Sequence, residues 1–195
     1  MKGGASNPMG MLAGLPGGKS QPRQGGPGPA GGEPPPPVLR GDLQMRIARD
    51  GNWFHQGSLI ARLPLVKLFA SALRREDDGQ YWLVTPAERG RIVVDDVPFV
   101  AVEVRAEGSG RDQRLVFRSN LDEEATAGEG HPLRIAIEPA SGATIPYILV
   151  RDRLEARILR AVFYHLVELG EQNGEQFGVW SSGRFFPLGR LDHAR

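Results

Sequence analysis

The sequence predicts an α+β protein of two structurally related small units, each a helix packed on short antiparallel strands. Three observations carry this. Several short runs alternate apolar and polar residues, two longer stretches place apolar residues at helical spacing, and the motif Gly-x-aromatic-aromatic occurs in RDGNWFHQG (49–57), DGQYW (78–82) and SGRFF (182–186). Alternation sends successive side chains to opposite faces of a strand, whereas spacings of three and four gather them on one side of a helix.

The first 37 residues stand outside this pattern. About 20 of them are Gly or Pro, and none is Val, Ile, Phe, Tyr or Trp. Such a composition buries too little apolar surface to offset the entropy of ordering, so residues 1–37 read as a flexible tail, with Pro34 to Pro37 locally in polyproline geometry. Residues 38–97 and 98–190 form the two units, and 191–195 a second short tail.

Within the first unit, Leu43, Met45 and Ile47 face one way and Gln44 and Arg46 the other, the period of a half-buried strand. Asp50-Gly51 is a turn, because Gly tolerates positive φ and Asp can bond its own backbone, and a second strand begins at Trp53. PLVKLFASALRR (64–75) follows as a helix with Pro at its first position and with Arg74 and Arg75 at the negative end of its dipole. Asp78-Gly79 then launches a strand at Tyr81, and RIVV (91–94) is another.

The second unit continues with strands FVAVEV (99–104), RLVFR (114–118), LRIAI (133–137) and YILV (147–150), punctuated by Gly108-Ser109-Gly110 and Ser141-Gly142. LEARILRAVFYHLVEL (154–169) reads as one helix, with Leu154, Ile158, Leu159, Val162, Phe163, Leu166 and Leu169 on a broad apolar arc and Gly170 as its C-terminal cap. Strands FGVW and FFPL close the chain around Ser182-Gly183. The recurring aromatic motif is thus a turn that starts a strand, its rings available for cross-strand packing.

Composition excludes several functions. The net charge is +1 and no run of Lys or Arg would track a phosphate backbone, so no nucleic-acid partner is expected. No stretch approaches the roughly 18 apolar residues of a membrane span, which predicts a soluble, cytoplasmic protein. With no Cys there is no disulfide, thiolate metal site, Cys nucleophile or iron–sulfur cluster. P-loop, G-x-S-x-G and H-E-x-x-H motifs are missing, and EGSGRD (107–112) lacks the third glycine of a dinucleotide fingerprint. Asp77-Asp78 and Asp95-Asp96 do not continue as calcium loops and read as turns. His55, His131, His165 and His193 form no local metal pair; His165 reads as a packed histidine and His131 as a loop histidine. No cofactor and no catalytic set is expected.

Polar residues at strand ends carry the remaining signal. An arginine fork binds phosphate or carboxylate through two bonds, and Tyr or Trp can stack on a base. At such positions an arginine more often covers a sheet edge or pairs with a surface carboxylate.

Taken together, GDLQMRIARDGNWFHQGSLIARLPLVKLFASALRR, YWLVTPAERGRIVVDDVPFVAVEV, PYILVRDRLEARILRAVFYHLVELG and VWSSGRFFPLG resemble the bacterial "domain of unknown function 1285" family over about residues 41–189. The resemblance implies a duplicated α/β core, a C-terminal half superficially like pleckstrin-homology folds, a nucleotide-type ligand site between the halves and a role in signal transduction. Leu59 departs from the family's Pro in G-S-P-I. The ligand-binding residues nominated at matching motifs are Thr85 and Glu88 (VTPAE), Arg118 and Asn120 (FRSN), Tyr147 and Arg151 (PYILVR), and Trp180 and Ser181 (VWSSG). Arg118 and Arg151 would hold an anion, Tyr147 or Trp180 would stack, and Thr85 and Asn120 would supply directional hydrogen bonds. The alternatives are a protein–protein interaction module without a small-molecule ligand, and an enzyme using Glu88 or His131 as general base.

Overall fold

The computed structural model describes residues 36–190. The expectations for residues 1–35 and 191–195 lie outside them. Fifteen strands and two helices build two six-stranded sheets and one three-stranded sheet.

The first sheet contains β1 (Val38–Ile47), β2 (Trp53–His55), β3 (Ser58–Leu59), β4 (Leu73–Arg75), β5 (Tyr81–Val84) and β6 (Glu88–Val94), in the order β3-β2-β1-β6-β5-β4. Helix α1 (Leu63–Ser71) connects β3 to β4 and packs on the inner face, where Phe69 stacks on Trp53 with centroids 6.2 Å apart. The alternation of β1 holds: Leu43, Met45 and Ile47 are buried while Gln44 and Arg46 are exposed. Gly51, Gly79 and Gly183 all adopt positive φ at turns, so the recurring motif is turn chemistry.

The second sheet contains β7 (Phe99–Glu107), β8 (Arg114–Ser119), β9 (Glu124–Thr126), β10 (Leu133–Ile137), β11 (Thr144–Arg151) and β12 (Leu154–Ile158), in the order β10-β11-β12-β7-β8-β9. Read from the other edge, this is the order of the first sheet. Each consists of two antiparallel three-stranded meanders joined at the centre by a parallel pair, β1 with β6 and β7 with β12. Only the helix is placed differently, since α2 (Arg160–Glu168) follows the second meander instead of linking the two. The third sheet, β13 (Glu171–Asn173), β14 (Gln176–Ser181) and β15 (Arg184–Arg190), is a meander that contributes Val179, Phe186 and Leu188 to the core shared by both halves.

Two helical expectations are corrected. The segment 64–75 is not helical to its end: α1 stops at Ser71, and Leu73–Arg75 pairs with Tyr81–Leu83 as β4, so Arg75 lies in a strand, while Arg74, also in that strand, still donates to the Ser71 carbonyl at the end of α1 at 3.1 Å. The Asp78-Gly79 turn brings β5 back onto these residues, and burying Leu73 in a ladder wins over extending the helix. Likewise 154–158 is strand β12. Leu154 and Ile158, four apart, satisfy both a helical and a strand period. Buried Ala156 between outward Glu155 and Arg157 decides for the strand, which pairs with β11 on one side and with β7 on the other. His165 is also corrected, being exposed and 3.4 Å from Glu168 instead of packed.

Candidate functional site

The two halves meet along a seam that is itself bonded. Arg151 donates Nε to Glu123 (2.8 Å) and Nη2 to the backbone oxygen of Ala70 (2.8 Å), one of the carbonyls left over at the C-terminal end of α1. Asn120 accepts from the backbone N–H of Val100 at 3.0 Å and donates toward the Gly51 carbonyl at 3.4 Å. Lys67 reaches Asp122 (2.6 Å), and Arg118 binds Glu103 (2.7 Å) and the same Asp122 (3.1 Å). Lys67 first and Arg118 second hold the Asp122 carboxyl below its ordinary range. Arg118, Asn120 and Arg151 are the residues expected to grip a ligand; in the fold their hydrogen-bonding groups clasp the two halves or the carboxylates of Glu103, Asp122 and Glu123.

The remaining nominated residues are dispersed. Tyr147 is buried, donates its hydroxyl to Asp96 at 2.9 Å, and has its titration pushed up to about 12 by burial first and by that bond second. Thr85 Oγ1 closes a local turn, bonding the backbone N–H and carbonyl of Glu88, each at 3.0 Å, while the Glu88 side chain pairs with Arg40. Ser181 is fully buried, accepting from Leu115 N–H (2.9 Å) and donating to the Ala127 carbonyl (2.7 Å), so it ties the third sheet to the second. Trp180 packs against Phe185 and carries Arg111 on its ring at 4.8 Å. The eight residues therefore form no single cluster around one concavity.

A concavity does open where the halves face each other beside β4 and β10. One part, about 430 Å³, is lined by Arg75, Arg134, Leu149, Arg153 and Glu155, and an adjoining part of about 410 Å³ by Glu76, Asp77, Asp78 and Arg153. Arg75 lies 5.4 Å from the centre of the Tyr81 ring and forms no carboxylate ion pair among the described residues. Arg134 lies 4.0 Å over the Tyr147 ring and pairs side by side with Glu155, 2.7 Å at Nη2. Arg153 crosses the seam to Asp77. Burial pushes the Tyr81 hydroxyl up, and Arg75 acts in the opposite direction.

The turn presenting Arg153 has an unusual sequence. Arg151 and Leu154 pair across a two-residue loop, in which Asp152 (φ +42°) and Arg153 (φ +68°) are both left-handed. Two-residue hairpins of this hand favour Asn-Gly, and a long side chain at positive φ is held against a conformational cost. Sequence reasoning missed all three arginines. Arg75 was hidden in an over-extended helix and Arg153 in a presumed helix approach, while the placement of Arg134 beside Tyr147 depends on a strand register that only the folded sheet supplies. The consecutive positive-φ demand of a two-residue link between YILVR and LEARI was the one signal available.

His131 bonds the Leu149 carbonyl through Nδ1 at 3.1 Å. No group of three His, Asp or Glu side chains converges as a metal site among the described residues, and no helix among them is long and apolar enough to cross a membrane.

Comparison with known proteins agrees with the two-part architecture. The family model for the N-terminal domain of DUF1285, a domain of unknown function, matches residues 34–97, and that for the C-terminal domain matches residues 98–188. The crystal structure of a DUF1285 family protein from Silicibacter pomeroyi DSS-3 is 51% identical, with a TM-score of 0.77 over 80% of this chain and 85% of its own. A DUF1285 family protein from Shewanella baltica OS155 shares the fold at 23% identity, with a TM-score of 0.51 over 65% of this chain and 91% of its own. No curated protein matches the chain.

Proposed function

The chain belongs to the DUF1285 family, and from that premise we propose that it is a cytoplasmic small-ligand-binding protein that takes a nucleotide-like anion between its two halves. The observation carrying this reading is the convergence of Arg75, Arg134 and Arg153, from both halves, on one open concavity. Guanidinium forks bind phosphate oxygens pairwise, and clustered cations concentrate anions at a cleft. Arg75 is the principal phosphate ligand in this reading, because no internal carboxylate competes for it. Arg153 exchanges Asp77 for the ligand, an exposed ion pair of small net worth to give up. Tyr81 and Tyr147 back the arginines with their rings and do not stack on a base.

A ligand that bridges the halves couples occupancy to their relative position, which suits the signalling role implied by the family resemblance. The pleckstrin-like likeness of the C-terminal half belongs to the same reading. Thermal-shift titration of the full chain with pyrophosphate and with nucleoside mono-, di- and triphosphates tests it, since a native-state ligand raises Tm by mass action. We expect a dose-dependent rise that Arg75→Gln abolishes. A flat response at millimolar concentrations of all four would overturn the reading in favour of an interaction module, for which Leu59, Leu63 and Leu68 are among the exposed apolar side chains.

A further inference from the structure

A second concavity, on the C-terminal half and away from the three-arginine cleft, has a different chemistry. It encloses about 570 Å³, within the range of small-ligand sites. The end of β10 and the start of β11 form one wall through Glu138, Thr144, Ile145 and Pro146. The end of β12 and the first turns of α2 form the other, with Arg157, Ile158, Leu159, Arg160, Phe163 and Tyr164. The lining is mainly aliphatic and aromatic. Leu159 and Tyr164, which line it, remain 43% and 52% exposed.

The charges around it are almost all satisfied internally. Arg157 binds Asp96 at 3.0 Å. Glu138 accepts from Ser141 at 2.6 Å and from Arg49 at 3.3 Å, and its carboxyl is held below the ordinary range by Ser141 first and Arg49 second. Arg160 is the exception. Its Nε donates to the Tyr164 hydroxyl at 2.7 Å, but it forms no carboxylate ion pair among the described residues, and no acidic side chain lies in the first turn of α2 to supply one. The Nη edge of a guanidinium thus stands unneutralised at the rim of a largely apolar recess.

We propose that this groove binds an amphipathic monocarboxylate, an aliphatic or aromatic acid whose apolar body lies on Ile145, Pro146, Leu159 and Phe163 while its carboxylate takes the free edge of Arg160. One net cation selects one anionic head, and the apolar lining selects a hydrocarbon body over a second charge. Glu138 repels a dianion. The groove shares no lining residue with the three-arginine cleft, so its success or failure does not depend on phosphate binding in that cleft.

Titration calorimetry of the full chain with decanoate, and with decanol as the neutral counterpart, tests the assignment. Saturable decanoate binding is expected, weakened about tenfold or more by Arg160→Gln, the scale of a lost charge-assisted hydrogen bond. Decanol should bind weakly and equally in both proteins. Arg184→Gln, which alters another exposed arginine outside any ion pair among the described residues, should leave decanoate affinity unchanged. The proposal is overturned if decanoate shows no saturable binding up to about 1 mM, if Arg160→Gln binds it as well as the original protein, or if decanol binds as tightly as decanoate.

Discussion

Arg151, on the last residue of β11, donates to the backbone oxygen of Ala70 in the last turn of α1, 81 positions away in sequence. One guanidinium serves two halves at once, because its other bonds hold Glu123 at 2.8 and 3.3 Å. Arg151→Met removes the fork and leaves a part-buried carboxylate and a helix-terminal carbonyl without it. Urea unfolding should show a loss of about 2 kcal/mol. Arg151→Lys should recover only part, since one ammonium cannot reproduce the planar fork.

Gly51 is required twice over. Its φ is +83°, and a Cβ there would lie 2.6 Å from Asn120 Nδ2. Gly51→Ala should therefore destabilise by about 2 kcal/mol. Combining it with Asn120→Ala should cost less than the two single changes together, a shortfall that a double-mutant cycle reads as direct contact.

Ser181→Ala deletes a buried hydroxyl that accepts from Leu115 N–H and donates to the Ala127 carbonyl. Ser182 also reaches Ala127 O at 3.1 Å, so the Leu115 N–H is the group left without a partner. A loss of about 2 kcal/mol is expected, with faster hydrogen exchange at β14 and β15 reporting that the third sheet has loosened.

Alkaline stability should depend on Tyr147. Its folded value of about 12 lies above the ordinary 10.0, so the folded state retains the phenolic proton more tightly than the unfolded chain. The contribution is complete below about pH 10 and disappears as pH rises through about 12, as the unfolded state sheds protons first. Stability measured across that window should fall more steeply in the original protein than in Tyr147→Phe.

Replacing Asp152-Arg153 by Asn-Gly suits the two positive φ angles and should raise stability by about 1 kcal/mol despite losing the ion pair to Asp77. The same change should also weaken the phosphate binding proposed for the three-arginine cleft, where Arg153 is a lining residue. If stability instead fell, the left-handed turn would carry no strain worth relieving.

The alternating strands, the glycine turns and the two-part division were legible because each rests on local period or backbone permissiveness. Leu43, Met45 and Ile47 announce β1, and Gly79 announces a turn, without reference to anything distant. The split of 154–169 into strand and helix was not legible, since Leu154 and Ile158 fit either period and the β7 partners of Ala156 and Ile158 lie more than fifty residues earlier. The site fared similarly. Residue type marked Arg118 and Arg151 as anion binders, but Glu103, Glu123 and Ala70 reach them only through tertiary approach. Arg75, Arg134 and Arg153 acquire meaning only when the two sheets face each other.

The shared strand order has a consequence for how the chain is made. In each half the first strand to be synthesised becomes the middle of the sheet, paired in parallel with the last, so neither sheet can close until its sixth strand has been made. A nascent chain ending before β6 holds two meander fragments with an open central edge, and the same vulnerability returns before β12. Sequence changes that slow synthesis just ahead of Glu88 or Leu154 would prolong the exposure of those edges, the stage at which such a protein is most exposed to pairing with a neighbour.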